Sequence, residues 1–396
     1  MLPHRKVTRL EREERTDFTM NNSLDALHLG EGAGYIDGRE RAASRRRRRN
    51  AVRASSICHI GLIVYTLVAA AVIAAIEFGL MAVFGQSKAI EIVSNPYVLW
   101  GLQVLAMYVI AFPIFLLITS TLPKRRAEKS GMSLGEFVTL FIIAQGIMVA
   151  GSIVSNLLAK YIGNTTGTEM EDMTSALISA SPLWLVVLVV VIIGPIIEEL
   201  IFRKVFIDRL SIYGDRLAIA VSSVAFGLIH GNIYQLLYAT AVGFLLGYVY
   251  TKTRRIRYSC MLHILINFMG TVPSLLIQPG LERIEALSEQ YATGNIPVAD
   301  TYIAMFDVIN MYSFLLIQYG LAIAGIVLLI VLTVKRAYKF PNSCEYRLPG
   351  KTVARVAFFN LGAIIFFLFI GSEILLSMFP DIPYILLEAL MAKLPS

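Results

Sequence analysis

Residues 182–209 read PLWLVVLVVVIIGPIIEELIFRKVFIDR. As a helix that rises about 1.5 Å per residue, this stretch is longer than the ~30 Å hydrocarbon core of a bilayer. Its second half places two adjacent carboxylates, Glu198 and Glu199, and the cation Arg203 in the same helix. Ionisable side chains at membrane depth are costly, so they mark a functional site by default. The stretch therefore predicts both a membrane-spanning fold and the position of its site.

The composition of the whole chain supports a membrane protein. Of its 396 residues, 56% are hydrophobic and 16% are charged, whereas about 25% are charged in soluble domains. Further apolar runs recur along the chain, which predicts an all-α, polytopic transmembrane bundle of about eight or nine spans with a central core that carries the motifs. We place the spans near 55–84, 97–121, 134–159, 182–209, 216–231, 233–251, 259–278, 304–334 and 352–379.

The distribution of Lys and Arg predicts the orientation of these spans. Four basic loops would lie on one side: 122–130, 203–216, 252–257 and 335–351. The loops of the other side and the tail carry one basic residue each. Since basic loops stay in the cytoplasm, the N-terminus is expected inside and the C-terminus outside. A bacterial cell membrane is the expected location.

We divide the chain into four parts. Residues 1–53 carry the run Arg45 to Arg49 and are expected to be a largely disordered cytoplasmic segment. The net charge of +7 could suggest nucleic acid, but a basic run beside a span is better explained by anionic lipid heads, and no nucleic-acid partner is expected. Residues 54–181 hold N-terminal spans, 182–278 a catalytic core, and 279–396 a loop followed by further spans.

The predicted fifth span is unusually short. Residues 216–231 would cover roughly 22 Å, less than the ~30 Å hydrocarbon core. Gly231-Asn232 then turns the chain with almost no loop. A non-helical backbone survives at that depth only if it is packed in protein or lines a water-filled cavity. The short hairpin therefore predicts an internal polar cavity.

The adjacent glutamates are expected to have separate tasks, because neighbouring side chains on a helix point about 100° apart. Glu199 and Arg203 are four residues apart and can pair on one face. Glu198 then faces elsewhere, and a carboxylate in apolar surroundings suits a general base. The preceding Gly194-Pro195 can loosen the helix. The alternative is a glutamate pair at the inner membrane edge, with Arg203 reaching the lipid heads.

Two later helices carry the other polar candidates. Phe226 and His230 share one helical face, and His230 precedes the turn at Gly231. His263 and Asn267 also share a face and could donate two hydrogen bonds to a developing oxyanion. For both pairs, hydrogen bonding between helices is the structural alternative.

Gly243 and Gly247 extend a stripe of small residues on the sixth predicted span. This spacing is typical of close helix packing, and we assign these residues no chemistry.

Three motifs, taken in order along the chain, resemble those of a known family. They are Glu-Glu-x-x-x-Arg (198, 199, 203), Phe-x-x-x-His (226, 230) and His-x-x-x-Asn (263, 267). The family is the CAAX-protease and bacteriocin-processing (Abi) family of intramembrane endopeptidases, also called type II CAAX prenyl endopeptidases. The resemblance covers about residues 182–278.

The resemblance implies peptide-bond hydrolysis of a membrane-associated substrate reached from the membrane or the cytoplasmic face. Glu198 would act with His230 to activate a water, and His263 with Asn267 would stabilise the oxyanion. Glu199 and Arg203 would position the helix and tune Glu198, next to Phe226. Eukaryotic members act on prenylated C-terminal tripeptides, and bacterial members are linked to bacteriocin immunity and other peptide processing.

The proposed roles require that the Glu198, His230, His263 and Asn267 side chains converge on one cavity. Measured from the nearest basic residue of each span, Glu198, His230 and His263 lie roughly 16, 21 and 9 Å deep. Direct contact between the three therefore needs tilted helices or a different span boundary.

The resemblance leaves the metal open, and no cofactor is assigned. Glu198, His230 and His263 could form a zinc site with an open position, but they lack the His-Glu-x-x-His spacing of a metalloprotease helix.

Two other functions stay open. A transporter with a proton relay would need further polar residues, for which Glu77, Asp307 and Glu373 are the candidates. A non-catalytic relative would bind or shield a membrane partner. The expected partners are a membrane-associated peptide or protein and the bilayer itself.

Overall fold

The structure is a computed structural model that describes residues 38–125, 127–168, 172–292, 298–337, 348 and 350–379. The chain divides into two units, Met1–Arg46 and Arg47–Ser396. Of the first unit, only residues 38–46 are described, and they are helical. The second unit contains the rest of the described fold.

The described residues form helices and no strand. The helices are α1 (Gly38–Phe84), α2 (Gln86–Val93), α3 (Pro96–Ser120), α4 (Leu134–Thr166), α5 (Met173–Ser179), α6 (Leu183–Tyr213), α7 (Asp215–Leu228), α8 (Ile233–Thr253), α9 (Ile256–Ala292), α10 (Val298–Val334), α11 (Gly350–Ala357) and α12 (Leu361–Met378).

Eight helices of the described chain are long and apolar enough to cross a membrane, which confirms the predicted polytopic bundle. Their bounds are Arg41–Phe84, Pro96–Ser120, Leu134–Thr166, Leu183–Tyr213, Ile233–Thr253, Ile256–Ser288, Tyr302–Val334 and Leu361–Met378.

The predicted span 216–231 corresponds to α7, which is too short to be one of these eight. Its 14 residues cover about 21 Å. The chain then turns at Gly231, whose φ of 66° lies in the left-handed region that glycine adopts without strain. The side chain of Asn232 caps the next helix by accepting from the Gln235 N–H. The α7–α8 hairpin is therefore short, as its sequence indicates.

Two predicted boundaries are wrong. The segment 38–53, expected to be disordered, forms the start of α1. It contains good helix formers such as Ala and Arg, and no Gly or Pro after Gly38; residues 1–37 lie outside the described chain. The expected loop 279–303 is helical up to Ala292, because α9 continues through Pro273 and Pro279.

Small residues let the helices approach closely. A Cβ on Gly325 of α10 would lie 2.1 Å from the Ile142 carbonyl oxygen of α4, and one on Gly146 would lie 2.7 Å from the Ile326 nitrogen. Between α7 and α8, a Cβ on Gly243 would lie 3.1 Å from the Ser223 Cα. These contacts bring the polar helices together.

Ion pairs to two buried carboxylates hold the ends of α6, α7 and α8 where the basic loops lie. The Asp215 carboxylate accepts from Arg254 at 2.6 Å and from Arg125 at 3.1 Å. Asp208 pairs with Lys204 at 3.0 Å and accepts from the Tyr250 hydroxyl at 2.7 Å. Since Arg125 and Arg254 come from different connections, this network ties neighbouring loops together.

Candidate active site

The helix that carries the glutamates is not a regular α-helix. Its segments Val187–Ile193 and Leu200–Ile207 are π-helical, and the α-helical turn Gly194–Glu199 lies between them. The Gly194 N–H bonds to the carbonyl of Val189, five residues back. Such wide turns are rare and frequently occur at functional sites.

Pro195 leaves one carbonyl of this helix without a helical donor. The residue five positions beyond Val190 is Pro195, which has no N–H. The N–H of Gly194 is already taken by Val189. The side-chain amide of Asn267 in α9 donates to the Val190 carbonyl at 2.9 Å. Asn267, expected to face an oxyanion, therefore uses one of its two amide hydrogens to join α9 to α6.

Glu199 is fully buried and contacts two cationic or protonatable groups. Its Oε2 lies 3.4 Å from the Arg203 Nε, which is the ion pair that the spacing predicts. Its Oε1 lies 3.1 Å from His263 Nδ1. The sequence prediction missed this second contact, because it joins helices that are 64 residues apart in the chain.

Arg203 is also fully buried and does not reach lipid heads. Besides Glu199, its guanidinium lies 4.6 Å from the centroid of the Phe226 ring and donates to the Gly243 carbonyl at 3.5 Å. Phe226 in turn packs edge-on against His230 and His263, with ring centroids 5.1 and 5.5 Å away. Phe226 therefore contacts Arg203 and both imidazoles.

His263 is shared by both glutamates. Its Nδ1 faces Glu199, and its Nε2 lies 3.6 Å from Glu198 Oε2. The adjacent carboxylates, which are expected to have separate tasks, are thus connected through this imidazole. They point apart along α6, but one imidazole from α9 reaches between them.

His230 has a different environment from the one expected. Its Nδ1 lies 2.8 Å from the carbonyl oxygen of Phe226. A carbonyl only accepts, so this contact assigns the proton to Nδ1 and leaves a lone pair on Nε2. The described structure contains no ion pair or hydrogen bond between His230 and Glu198. Glu198 instead neighbours His263.

All four predicted side chains line one cavity of about 1200 Å³. They are Glu198, His230, His263 and Asn267. The Glu198 side chain is 31% exposed, whereas that of His263 is 4% exposed. The separation in depth that regular straight helices would give does not prevent all four from reaching the same cavity.

The cavity also has walls that sequence reasoning missed. Trp100 and Tyr108 of α3, Tyr238 of α8 and Asp172 before α5 all line it. The Trp100 indole donates to the Ser181 hydroxyl at 2.9 Å. These residues are distant from the motifs in sequence, and no spacing rule connects them to the glutamates. The polar or aromatic character of these side chains was the one feature of the sequence that could have suggested a place on the cavity wall.

The candidate zinc ligands do not form a metal site here. Within the described part of the chain, no group of three His, Cys, Asp or Glu side chains is placed to hold a metal ion. His263 has both ring nitrogens directed at carboxylates, and His230 directs one at a carbonyl. We therefore derive no step through a metal.

The fold and the site define a class: a polytopic α-helical membrane protein with an acid–imidazole cluster on the wall of a cavity. This arrangement suits hydrolysis inside a membrane.

Comparison with known proteins identifies the family. The model of the Rce1-like type II CAAX prenyl endopeptidases matches residues 180–269. The chain is 32% identical over 201 residues to "Putative membrane peptidase YdiL" of Bacillus subtilis (strain 168). The matched region covers 48% of this chain and 78% of that protein. The chain therefore belongs to this family of membrane peptidases.

Two further relatives are more distant. "Membrane-embedded CAAX protease MroQ" of Staphylococcus aureus (strain USA300) is 29% identical over 145 residues, or 35% of this chain and 58% of that protein. "UPF0177 protein YxdF" of Lactococcus lactis subsp. lactis (strain IL1403) is 28% identical over 134 residues, which are 34% of this chain and 71% of that protein. No solved structure matches the chain significantly.

Proposed function

We propose that this protein is an intramembrane endopeptidase that hydrolyses a peptide bond of a membrane-associated substrate. We infer that it lies in a bacterial cell membrane with its basic loops inside. The proposal depends on one observation: Glu198 is partly exposed in a cavity whose wall also contains His230, His263 and Asn267.

The charges of the buried cluster balance when His263 is protonated. Glu198 and Glu199 then supply two negative charges, and Arg203 and His263 supply two positive ones. A buried group of charges is tolerated only when its members are paired. In this state His263 donates through Nδ1 to Glu199 and directs its second N–H towards Glu198 and the cavity.

Glu198 is the proposed general base. It takes a proton from a water in the cavity while the oxygen of that water attacks the carbonyl carbon of the scissile bond. The tetrahedral intermediate carries a negative charge on the former carbonyl oxygen. Glu198 then returns the proton to the leaving nitrogen, so that one water is consumed and an acid and an amine are formed.

The other cavity groups support these steps. The free lone pair on His230 Nε2 accepts a hydrogen bond from the water and orients it. Cationic His263 and the second amide hydrogen of Asn267 stabilise the oxyanion. Glu199 holds His263 in position through Nδ1, and Arg203 balances the charge of Glu199. Asn267 thus has two roles, one towards α6 and one towards substrate.

The transporter alternative is less well supported by the contacts. Asp307, one of the three candidate relay groups, forms a bidentate ion pair with Arg283, with both N···O distances 2.8 Å. Glu77 and Glu373 do not line the cavity. None of the three candidate relay groups therefore lies on the cavity wall beside Glu198.

The test is cleavage by the purified full-length protein in lipid nanodiscs. Membrane peptides that accumulate in cells carrying His230→Ala, identified by proteomics, supply the substrates. Glu198→Gln is expected to abolish their cleavage, whereas Glu77→Gln changes a carboxylate in a span outside the cavity and is expected to retain it. Equal cleavage by wild type and Glu198→Gln would reject the proposal. Intact binding without cleavage by wild type would indicate a non-catalytic relative.

A further inference from the structure

A tyrosine hydroxyl of α3 lies against the helix that carries the glutamates. A Cβ built on Gly194 would be 3.4 Å from the Tyr108 hydroxyl oxygen. Side chains on a helix lean towards its N-terminus, so Glu198 leans over the turn that begins at Gly194, four residues earlier. The Tyr108 hydroxyl also lies within electrostatic range of the Glu198 carboxylate, and both side chains line the cavity. Tyr108 is therefore a neighbour of the proposed general base.

The hydroxyl lies on the side of α6 that the proposed oxyanion donors contact. Val190, Gly194 and Glu198 follow one another at four-residue steps, and all three line the cavity. Asn267 bonds to the first of them, and His263 neighbours the third. The tyrosine of α3 lies at the second. Along α6, its hydroxyl therefore comes between the two donors already proposed for the oxyanion.

This hydroxyl has no structural partner in the described part of the chain. Tyr108 donates no hydrogen bond to a described residue. A phenol is protonated at neutral pH, so the group is a donor that is free to meet a ligand in the cavity. Tyr65 and Tyr238 also line the cavity, but neither lies within 4 Å of the Cβ position of Gly194. Among these tyrosines, Tyr108 is the one placed at the turn before Glu198.

The helix around Tyr108 is distorted in the same way as α6. Residues Val104–Ala111 of α3 are π-helical, and the N–H of Phe112 bonds to the Met107 carbonyl, five residues back. The next donor in this pattern would be Pro113, which has no N–H for the Tyr108 carbonyl. Wide turns of this kind are rare and frequently occur at functional sites. Two such helices, α3 and α6, thus meet at the Tyr108 hydroxyl.

The proposed reaction gives this free donor a use. Asn267 commits one amide hydrogen to Val190, and His263 is shared by the two glutamates. As Glu198 takes the proton of the attacking water, negative charge moves from its carboxylate to the former carbonyl oxygen of the substrate. A donor already in place near Glu198 stabilises that developing charge without reorganisation.

We propose that Tyr108 is a further catalytic residue, whose hydroxyl donates a hydrogen bond to the oxyanion beside Asn267 and His263. The phenol keeps its proton throughout, and no covalent bond to it forms or breaks. The inference rests on the proposed function, since it adds a group to the same site.

The first experiment removes the hydroxyl and keeps the ring. With one of the cleaved membrane peptides, Tyr108→Phe is expected to lower kcat about 100-fold and to change KM little, because the bond forms only in the transition state. Tyr97→Phe is the control on the same helix. Tyr97 is exposed, stacks on Trp184 and does not line the cavity, so its kcat is expected to be retained. An unchanged kcat in Tyr108→Phe, or an equal loss in Tyr97→Phe, would overturn the inference.

A second variant separates the hydrogen bond from packing. Incorporation of 3-fluorotyrosine at position 108 keeps both the ring and the hydroxyl, and fluorine makes the phenol a stronger donor. This protein is expected to cleave at least as fast as the wild type. A kcat as low as that of Tyr108→Phe would mean that the shape of the side chain, rather than its hydrogen bond, supports cleavage, and the inference would fail.

A binding measurement separates this inference from the proposed function. A phosphinate analogue of the peptide places a tetrahedral anion at the scissile position, whereas a ketomethylene analogue keeps a neutral carbonyl there. Tyr108→Phe is expected to weaken phosphinate binding on the order of tenfold or more and ketomethylene binding little. Selective loss of phosphinate binding, with no cleavage of any peptide by the wild type, would support the position of the hydroxyl and reject the endopeptidase. Cleavage by the wild type, with kcat and phosphinate binding unchanged in Tyr108→Phe, would do the reverse.

Discussion

The side-chain amide of Asn267 donates a 2.9 Å hydrogen bond to the main-chain carbonyl of Val190. The bond connects two membrane helices and satisfies a carbonyl that Pro195 leaves without a helical donor. Unsatisfied backbone groups are costly at membrane depth. The proline and the asparagine are therefore parts of one arrangement, although 72 positions separate them in the sequence.

The first prediction concerns this pair. Asn267→Leu is expected to lower the free energy of unfolding by about 1–3 kcal/mol, the cost of a buried acceptor left unpaired. In a Pro195→Ala background the loss of unfolding free energy caused by Asn267→Leu is expected to be smaller. The alanine has a main-chain N–H, which can donate to the Val190 carbonyl in place of Asn267. A double-mutant cycle of unfolding in detergent measures the difference. Equal losses in both backgrounds would show that Pro195 is not the reason for the bond.

The second prediction concerns the buried ion pair. Arg203→Met is expected to destabilise the protein by about 3–5 kcal/mol, because it leaves Glu199 without its main cation. Adding Glu199→Met should recover part of this loss, since the unpaired charge is then removed as well. Thermal unfolding of the purified variants provides the measurement.

Lys204→Met is the control for that series. Lys204 is the next residue along α6, is about half exposed and pairs with Asp208, so its loss is expected to cost about 1 kcal/mol or less. If Lys204→Met destabilised the protein as much as Arg203→Met, the loss of a positive charge from α6, rather than the burial of the ion pair, would explain the destabilisation.

The third prediction orders three glycine substitutions by the space around each Cβ. At Gly227 a Cβ would lie 1.9 Å from Thr240 Oγ1 and 2.8 Å from the Leu236 carbonyl oxygen, which is backbone. At Gly243 the nearest contacts are 3.1 Å, and at Gly79 there is nothing within 4 Å. Gly227→Ala is expected to be the most harmful, at about 1–3 kcal/mol or more, and Gly79→Ala harmless. Thermal unfolding of the three variants tests the order, and a Gly79→Ala as harmful as Gly227→Ala would contradict it.

The fourth prediction concerns metals. Because Glu198, His230 and His263 are not grouped as ligands, peptide cleavage is expected to withstand EDTA and 1,10-phenanthroline and to show no gain with added zinc. Elemental analysis of the purified protein accompanies the assay. Stoichiometric zinc that is lost together with activity, and that is absent from His230→Ala, would require a rearranged site.

Contacts within one helix could be predicted from spacing, and contacts between helices could not. The Glu199–Arg203 ion pair follows from a separation of four residues, and the structure contains it. The partner of Glu198 depends on the rotation and height of α6, α7 and α9. The predicted depths hold for regular α-helices, but α6 has two π segments around the glutamates. His263, rather than His230, is therefore the imidazole beside Glu198.

Residues without a recognisable pattern were missed for a related reason. Asp172 and Trp100 reach the cavity from segments outside the motif region. The predicted disorder of residues 1–53 followed from their polar composition, whereas the helix-forming residues of 38–53 determine the local structure there.

The two π segments of α6 make chain length as important as residue identity around the glutamates. One residue of a helix corresponds to a rotation of about 100°. Because a π turn holds more residues than an α turn, Val187–Ile193 accommodates an extra residue without passing that rotation on to Glu198. A residue deleted ahead of Glu198 where the winding is regular would turn Glu198 away from the cavity, even though every motif residue were retained. In this helix, one aliphatic residue of no chemical distinction sets the direction in which the carboxylates point.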